Sequence, residues 1–284
     1  MRIGCHTSVK GAYYNGIIDG IKLGCETVQI FTSNPRGWSF RKYKEGEIEE
    51  FHAKRKECGI WPIFSHANYL INISSPIPDL MKKSRDALLE EVNRIEALGM
   101  EYVVLHPGSY KDTTREDAIQ NAIEALTEIF EKTPHGKGRV LIENTAGQGN
   151  LIACTFEEIN QILDGVPVKH QARVGMCFDT CHAFAYGYDF RTKSQYDSLM
   201  QKLDEVVGLK RVFAFHLNDC HEELGSNRDL HEHIGKGHIG KDPFRFFLND
   251  PRFKDHPAIL ETEWGEEYAD IKKDVEILLT LREA

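Results

Sequence analysis

Six short apolar runs of this chain each close on a residue that can hold a metal ion. They read Phe64-Ser65-His66, Val104-Leu105-His106, Leu141-Ile142-Glu143, Cys177-Phe178-Asp179, Ala214-Phe215-His216 and Ile259-Leu260-Glu261. Two further pairs enlarge the set. Asp179 and His182 stand three residues apart at the start of an expected loop; Asp229 and His231 stand two apart inside the longest one. Nine candidates result: His66, His106, Glu143, Asp179, His182, His216, Asp229, His231 and Glu261. Five imidazoles and four carboxylates suit zinc, with manganese as an alternative at some positions. They exceed what one tetrahedral ion needs. With one or two carboxylates bridging, they would serve two or three ions in a centre for metal-assisted hydrolysis.

Charge favours the same reading. Four carboxylates crowded together repel each other and would otherwise be forced partly protonated. Three divalent cations would leave the cluster at about +2, a pocket that draws an anion. One histidine at a strand end is usually just hydrogen-bonded. Six ligand-type residues on eight strand ends form a different pattern.

The elements must bring those tips together. Strands are expected at Ile3–Cys5, Thr27–Phe31, Trp61–Phe64, Tyr102–Leu105, Val140–Ile142, Val174–Phe178, Val212–Phe215 and Ala258–Leu260, short and apolar as buried parallel strands are. Helical patterns lie between them. Pro78–Leu98 repeats apolar residues every 3.6 positions, and Thr113/Glu116 and Thr155/Glu158 have capping-box spacing. Helices are also expected at Gln195–Val207, Glu266–Arg282 and, shorter, Asp242–Leu248. Eight strands alternating with helices give an α/β fold, a (β/α)8 barrel of the TIM type, as one domain over residues 1–284. Such barrels gather catalytic groups at the carboxyl ends of their strands.

Bulk properties narrow the class. No apolar run approaches the ~20 residues of a membrane span, and the amino terminus runs straight into a strand pattern. Seven scattered cysteines form no paired framework, so a reducing, cytoplasmic location is expected. A net charge of −9 argues against a protein that coats nucleic acid non-specifically. His52, His135, His170 and His256 read as surface residues, and His6 as a neighbour of the ligands.

At these residues the chain resembles the endonuclease IV family of apurinic/apyrimidinic endonucleases. The likeness spans nearly the whole chain. It rests on Phe31-Thr32-Ser33-Asn34-Pro35-Arg36, His66-Ala67-Asn68-Tyr69-Leu70-Ile71-Asn72, His106-Pro107-Gly108-Ser109, Glu143-Asn144-Thr145-Ala146-Gly147-Gln148-Gly149, Phe178-Asp179-Thr180-Cys181-His182-Ala183, His216-Leu217-Asn218-Asp219 and the stretch from Gly225 to Gly235. Leu230, Glu263 and Cys220-His221 depart from the family pattern without touching the nine ligands.

The resemblance implies three zinc ions. His66, His106 and Glu143 would hold the first. Glu143 would bridge to a second, also held by Asp179, His216 and Glu261. His182, Asp229 and His231 would hold the third. It implies hydrolysis of the phosphodiester 5′ to an abasic site in duplex DNA, leaving a 3′ hydroxyl and a 5′ deoxyribose phosphate. It also implies trimming of blocked 3′ ends by a monomeric enzyme. Glu143 would orient or deprotonate the attacking water. Arg36, Tyr69 and Leu70 would enter the base stack. The rivals are a sugar isomerase or epimerase on the same barrel, needing fewer metals, and a catalytically silent DNA-binding module.

Overall fold

The structure, a computed structural model, describes residues 1–283. Seven parallel strands come first: β1 (Arg2–His6), β2 (Thr27–Phe31), β3 (Ile63–His66), β4 (Tyr102–Leu105), β5 (Arg139–Glu143), β6 (Val174–Asp179) and β7 (Val212–His216). Two very short strands follow, β8 (Asp219–Cys220) and β9 (His231–Glu232), then β10 (Pro257–Leu260). The barrel closes in the order β1-β10-β7-β6-β5-β4-β3-β2, all parallel. The expected (β/α)8 barrel is therefore present. Around it run α1 (Tyr14–Leu23), α2 (Glu47–Cys58), α3 (Pro78–Leu98), α4 (Arg115–Lys132), α5 (Phe156–Gly165), α6 (Thr180–Tyr186), α7 (Lys193–Val206), α8 (Phe244–Leu248) and α9 (Ala269–Leu281). No helix of the described residues is long and apolar enough to cross a membrane.

Strand periodicity explains why the tips converge. Side chains two apart on a strand share a face. Phe64, Val104, Leu141, Cys177, Ala214 and Ile259, joined by Tyr102, form a closed apolar cluster and are buried. Each of those six stands two residues before one of the six strand-end ligands. The cluster is thus the packed floor of the barrel interior, and the ligands are the next layer up. A larger apolar core, including Ile3, Val28, Ile63, Val103, Val140 and Phe215, faces the helices.

Several expectations shift in position. β3 begins at Ile63 rather than Trp61, because Pro62 has no N–H to give the ladder. The strand also runs past Phe64 and ends on His66. The loop expected after Asp179 is the helix α6, and Asp179 is its N-cap, accepting from the backbone N–H of His182 at 2.7 Å. The cap before α4 is Thr114, bonded to Asp117 N, one residue later than the spacing suggests. Thr155 caps α5 as expected, but Glu158 accepts from Cys154 N instead of closing the box on Thr155. α2 buries only Glu47 and Phe51, so it carries almost no apolar period. His170 is buried, contrary to the surface reading, and His256 bonds the Val212 carbonyl at 3.0 Å.

The long loop after β7 carries one short ribbon. β8 and β9 pair antiparallel, Cys220 opposite His231. The buried Asp219 carboxylate organises the turn beyond β9. It accepts backbone N–H groups from Gly235 (2.9 Å), Gly237 (3.1 Å), Ile239 (3.0 Å), Gly240 (3.3 Å) and its neighbour Cys220 (2.8 Å). Asp219→Asn replaces one acceptor oxygen with a donor and leaves buried N–H groups unpaired. Each such group costs about 1–3 kcal/mol. Amide exchange at residues 235–240 should accelerate at least tenfold in this variant, with the strand amides unaffected. Unchanged exchange there would show that Asp219 does not hold the segment.

Candidate metal centre

All nine predicted ligands meet at the carboxyl ends of the strands. Their donor atoms fall into compact groups, each within 4.8 Å: His66, His106 and Glu143; Glu143, Asp179, His216 and Glu261; His182, Asp229 and His231. Glu143 joins the first two groups through different oxygens. Oε2 lies 3.2 Å from His66 Nε2 and 2.9 Å from His106 Nε2. Oε1 lies 2.8 Å from His216 Nδ1. Glu261 Oε2 completes that side at 3.0 Å from the same nitrogen. Asp229 Oδ1 lies 3.1 Å from His182 Nε2 and 3.3 Å from His231 Nε2. Asp179 Oδ2 stands between the second and third groups, 3.8 Å from His216 Nδ1 and 3.9 Å from His231 Nε2.

Hydrogen bonds made outside the cage settle which nitrogens face inward. His66 Nδ1–H donates to the Ala67 carbonyl at 2.7 Å, since a carbonyl only accepts. His182 Nδ1–H donates to the Asn144 carbonyl at 2.9 Å. Gln29 gives its two amide hydrogens to Glu261 Oε1 (2.6 Å) and His6 Nδ1 (3.1 Å), so its oxygen accepts from His216 Nε2–H at 2.9 Å. In the neutral imidazoles, the inward nitrogens therefore carry lone pairs aimed at carboxylate oxygens. That contact repels unless positive charge lies between. For ligands at about 2.0–2.1 Å from a tetrahedral zinc, neighbouring donors sit about 3.3 Å apart. The shorter spacings, 2.8–3.5 Å, match that edge. The residues fit a metal centre.

The protons respond accordingly. Burial opposes the charged form of His66, yet the Glu143 carboxylate beside it raises the group above its ordinary value. His182 is likewise opposed by burial and raised well above it by Asp179 and Asp229. His216 follows the same balance. Burial works against the ionised Glu143, and His216 and His106 nonetheless hold it well below the usual carboxylate range. Asp179 goes the other way, since burial dominates there. His6, a neutral acceptor for Gln29, is pushed by burial down to about 3.

Three amides that sequence reasoning passed over build the frame. Besides Gln29, Asn144 donates to the Asp179 carbonyl and accepts from its N–H, at 2.9 and 2.8 Å. Asn218 donates to Asp179 Oδ2 at 2.8 Å and accepts from Glu261 N at 2.8 Å. The available signal was a polar amide within or beside an apolar strand run.

The two loops that carry the residues expected to touch DNA are tied together. Tyr69 N–H donates to the Pro35 carbonyl at 3.1 Å, tying the loop after β3 to the loop that carries Arg36. Arg36 and Tyr69 are exposed, Tyr69 by 59 %, and Leu70 is half-buried. Arg41 is paired with Glu47 and set over the Tyr13 ring.

The fold and the donor set define a metal-type TIM-barrel enzyme, and the profile described as a xylose isomerase-like TIM barrel matches residues 21–281. The protein named "Probable endonuclease 4" of Trichlorobacter lovleyi is 38% identical over 98% of this chain and 99% of its own length. The crystal structure of endonuclease IV from Thermus thermophilus superposes with a TM-score of 0.85, at 34% identity, covering 99% of this chain and all of that one. A D-tagatose 3-epimerase-like protein shares the fold, with a TM-score of 0.72 at 18% identity over 99% of this chain and 98% of its own. The chain belongs to the endonuclease IV family and is a hydrolytic nuclease.

The histidine shifts give the metal-free protein a defined pH dependence. A raised imidazole contributes stability fully below its unfolded value, near 6.5, and loses it as pH rises through the folded value. Metal ligation needs the neutral ring and strengthens as pH rises. The thermal-midpoint gap between metal-loaded and chelator-treated protein should therefore widen from about pH 6 to about pH 8. Calorimetry that found a constant or narrowing gap would contradict this proton balance.

Proposed function

We propose that this chain is a zinc-dependent DNA-repair endonuclease. It hydrolyses the phosphodiester 5′ to an abasic site, leaving a 3′ hydroxyl and a 5′ deoxyribose phosphate, and trims blocked 3′ ends. The observation that carries the reading is the set of three donor groups, the first two joined through Glu143 and the third adjoining the second at Asp179. A one-ion sugar epimerase has no use for the third group. Three Zn²⁺ ions would be held by His66, His106 and Glu143, by Glu143, Asp179, His216 and Glu261, and by His182, Asp229 and His231. Manganese is the alternative at some of these positions. When bound, the ions supply Lewis-acid polarisation of the phosphate and a lowered pKa for water.

The protein's own groups do the rest. Glu143 sits at the centre of the donor groups, so it orients or deprotonates the attacking water. Gln29, Asn144 and Asn218 keep the ligands in one arrangement without a reorganisation step. Arg36, Tyr69 and Leu70 form a guanidinium, aromatic and apolar wedge for the base stack, reached through the minor groove. An abasic nucleotide has already lost its stacking and is the cheapest to extrude. The enzyme acts as a monomer in the cytoplasm on damaged duplex DNA, and residues 1–284 form its one domain.

The purified protein should cut a duplex carrying one stable abasic analogue and hold close to three metal ions per chain by elemental analysis. One ion with no incision would favour the epimerase reading. Full loading without incision would favour a silent DNA-binding module. Glu143→Ala should lower kcat about 10²- to 10⁴-fold while most DNA binding survives; retained cutting would remove its assigned role. Tyr69→Ala combined with Leu70→Ala should weaken binding of abasic duplex by about tenfold at unchanged metal content. Equal affinity would take both residues out of the recognition surface.

A further inference from the structure

A cavity of about 460 Å³ opens between the loops that follow β1, β2 and β10. Phe31 is its partition from the metal centre. That ring meets His66 at 5.9 Å, Tyr69 at 5.6 Å and His6 at 4.3 Å. Trp264 also lines the cavity, a residue with no part in the nine-ligand cluster or the three-residue wedge.

Trp264 is 39 % exposed, so burial does not hold it in place. Hydrogen bonds and packing do. Its Nε1–H donates to the His6 carbonyl at 3.0 Å, and its carbonyl accepts from Asp270 N at 3.1 Å. Its indole packs at 5.2 Å on Tyr268, whose hydroxyl accepts from Ser8 N at 3.0 Å. A large aromatic face is thus left open to the cavity on loops pinned to each other. The wedge loop forms the near rim, because Pro35, whose carbonyl binds Tyr69, lines the cavity with Asn34 and Ser33.

The volume lies within the about 300–1,000 Å³ of small-molecule sites, enough for a heterocycle with its sugar and too little for a protein segment. Aromatic walls with an amide, hydroxyls and the Lys10 ammonium at the rim match a base stacked on a flat face, with its polar edge and phosphate outward. On the endonuclease reading, the wedge unstacks DNA beside this cavity and the abasic nucleotide faces the metal centre. We propose that the cavity is a nucleobase subsite, capturing an unstacked base of the same duplex against Trp264. The proposal rests on the endonuclease reading. The captured base comes either from the position opposite the abasic site or from the nucleotide beside it.

Incision kinetics on three duplexes test it: one abasic site opposite adenine, the same with the opposing base also removed, and the same with the neighbouring base removed. Trp264→Ala should raise KM about tenfold on the first duplex, since stacking on one aromatic is worth about 5- to 150-fold. kcat and metal content should stay as in the parent, and Trp264→Phe should restore most of the affinity. The penalty should vanish on whichever duplex lacks the captured base, which identifies its source. Ser39→Trp, filling the cavity while keeping Trp264, should reproduce the pattern if the alanine variant is unstable. An equal penalty on all three duplexes, or none on the first, overturns the subsite. A parent enzyme that cuts none of the three overturns the endonuclease reading instead.

Discussion

The carboxylate of Glu143 is the constraint around which the barrel mouth is arranged. It is fully buried, and its two oxygens face opposite ways, one toward His66 and His106, the other toward His216. An isolated carboxylate at that depth would protonate rather than stay charged. Here His66 and His216 have their outward N–H groups already committed, so their inward lone pairs add to the negative potential. Only positive charge placed between them resolves the conflict, as protons in the metal-free protein or as cations in the loaded one. Charge balance, more than shape, therefore ties this centre to metal.

That demand explains the supporting amides. A carboxamide carries a donor and an acceptor on one rigid plane, so it can hold an imidazole and a carboxylate at once. Gln29 does this for His216 and Glu261, and Asn218 does it for Asp179 and the backbone of Glu261. Charged residues in these places would have altered the net charge of the cage. Fixing orientation from outside keeps ligands pre-set, as partners beyond the coordination sphere generally do.

Much of this was legible in the residue pattern. The six strand ends could be found because each ligand follows its barrel-floor residue by two positions, the strand period itself. The apolar i−2 residue and the ligand are one signal read twice. What stayed hidden depends on contacts distant in sequence. Gln29 touches Glu261 across 232 positions and His216 across 187, and no local spacing encodes that. α6 was unreadable for a related reason: its seven residues and their cap carry Asp179 and His182 as functional groups, so the polar pattern imitated a loop. The ribbon of β8 and β9 has two residues per strand, too few for any alternation to appear.

The three donor groups differ in how firmly the fold holds them. In the first two, four of the six members sit on β3, β5, β6 and β7, with the apolar floor directly beneath; His106 and Glu261 directly follow β4 and β10. In the third, His182 comes from α6, but Asp229 and His231 come from the ribbon and the loop leading into it, with side chains 36 % and 20 % exposed. The ribbon has no floor. Its geometry derives from the β8 pairing, from the backbone groups gathered by Asp219, and from His233 bonded to the buried Asp274 of α9 at 2.7 Å. Asp274 also accepts from Thr262, the residue after Glu261, at 2.7 Å. One outer-helix carboxylate thus couples the segment after His231 to the segment after Glu261. The third group is the most solvent-accessible, held by hydrogen bonds rather than packing. A cation held there would therefore exchange more readily than one held at Glu143.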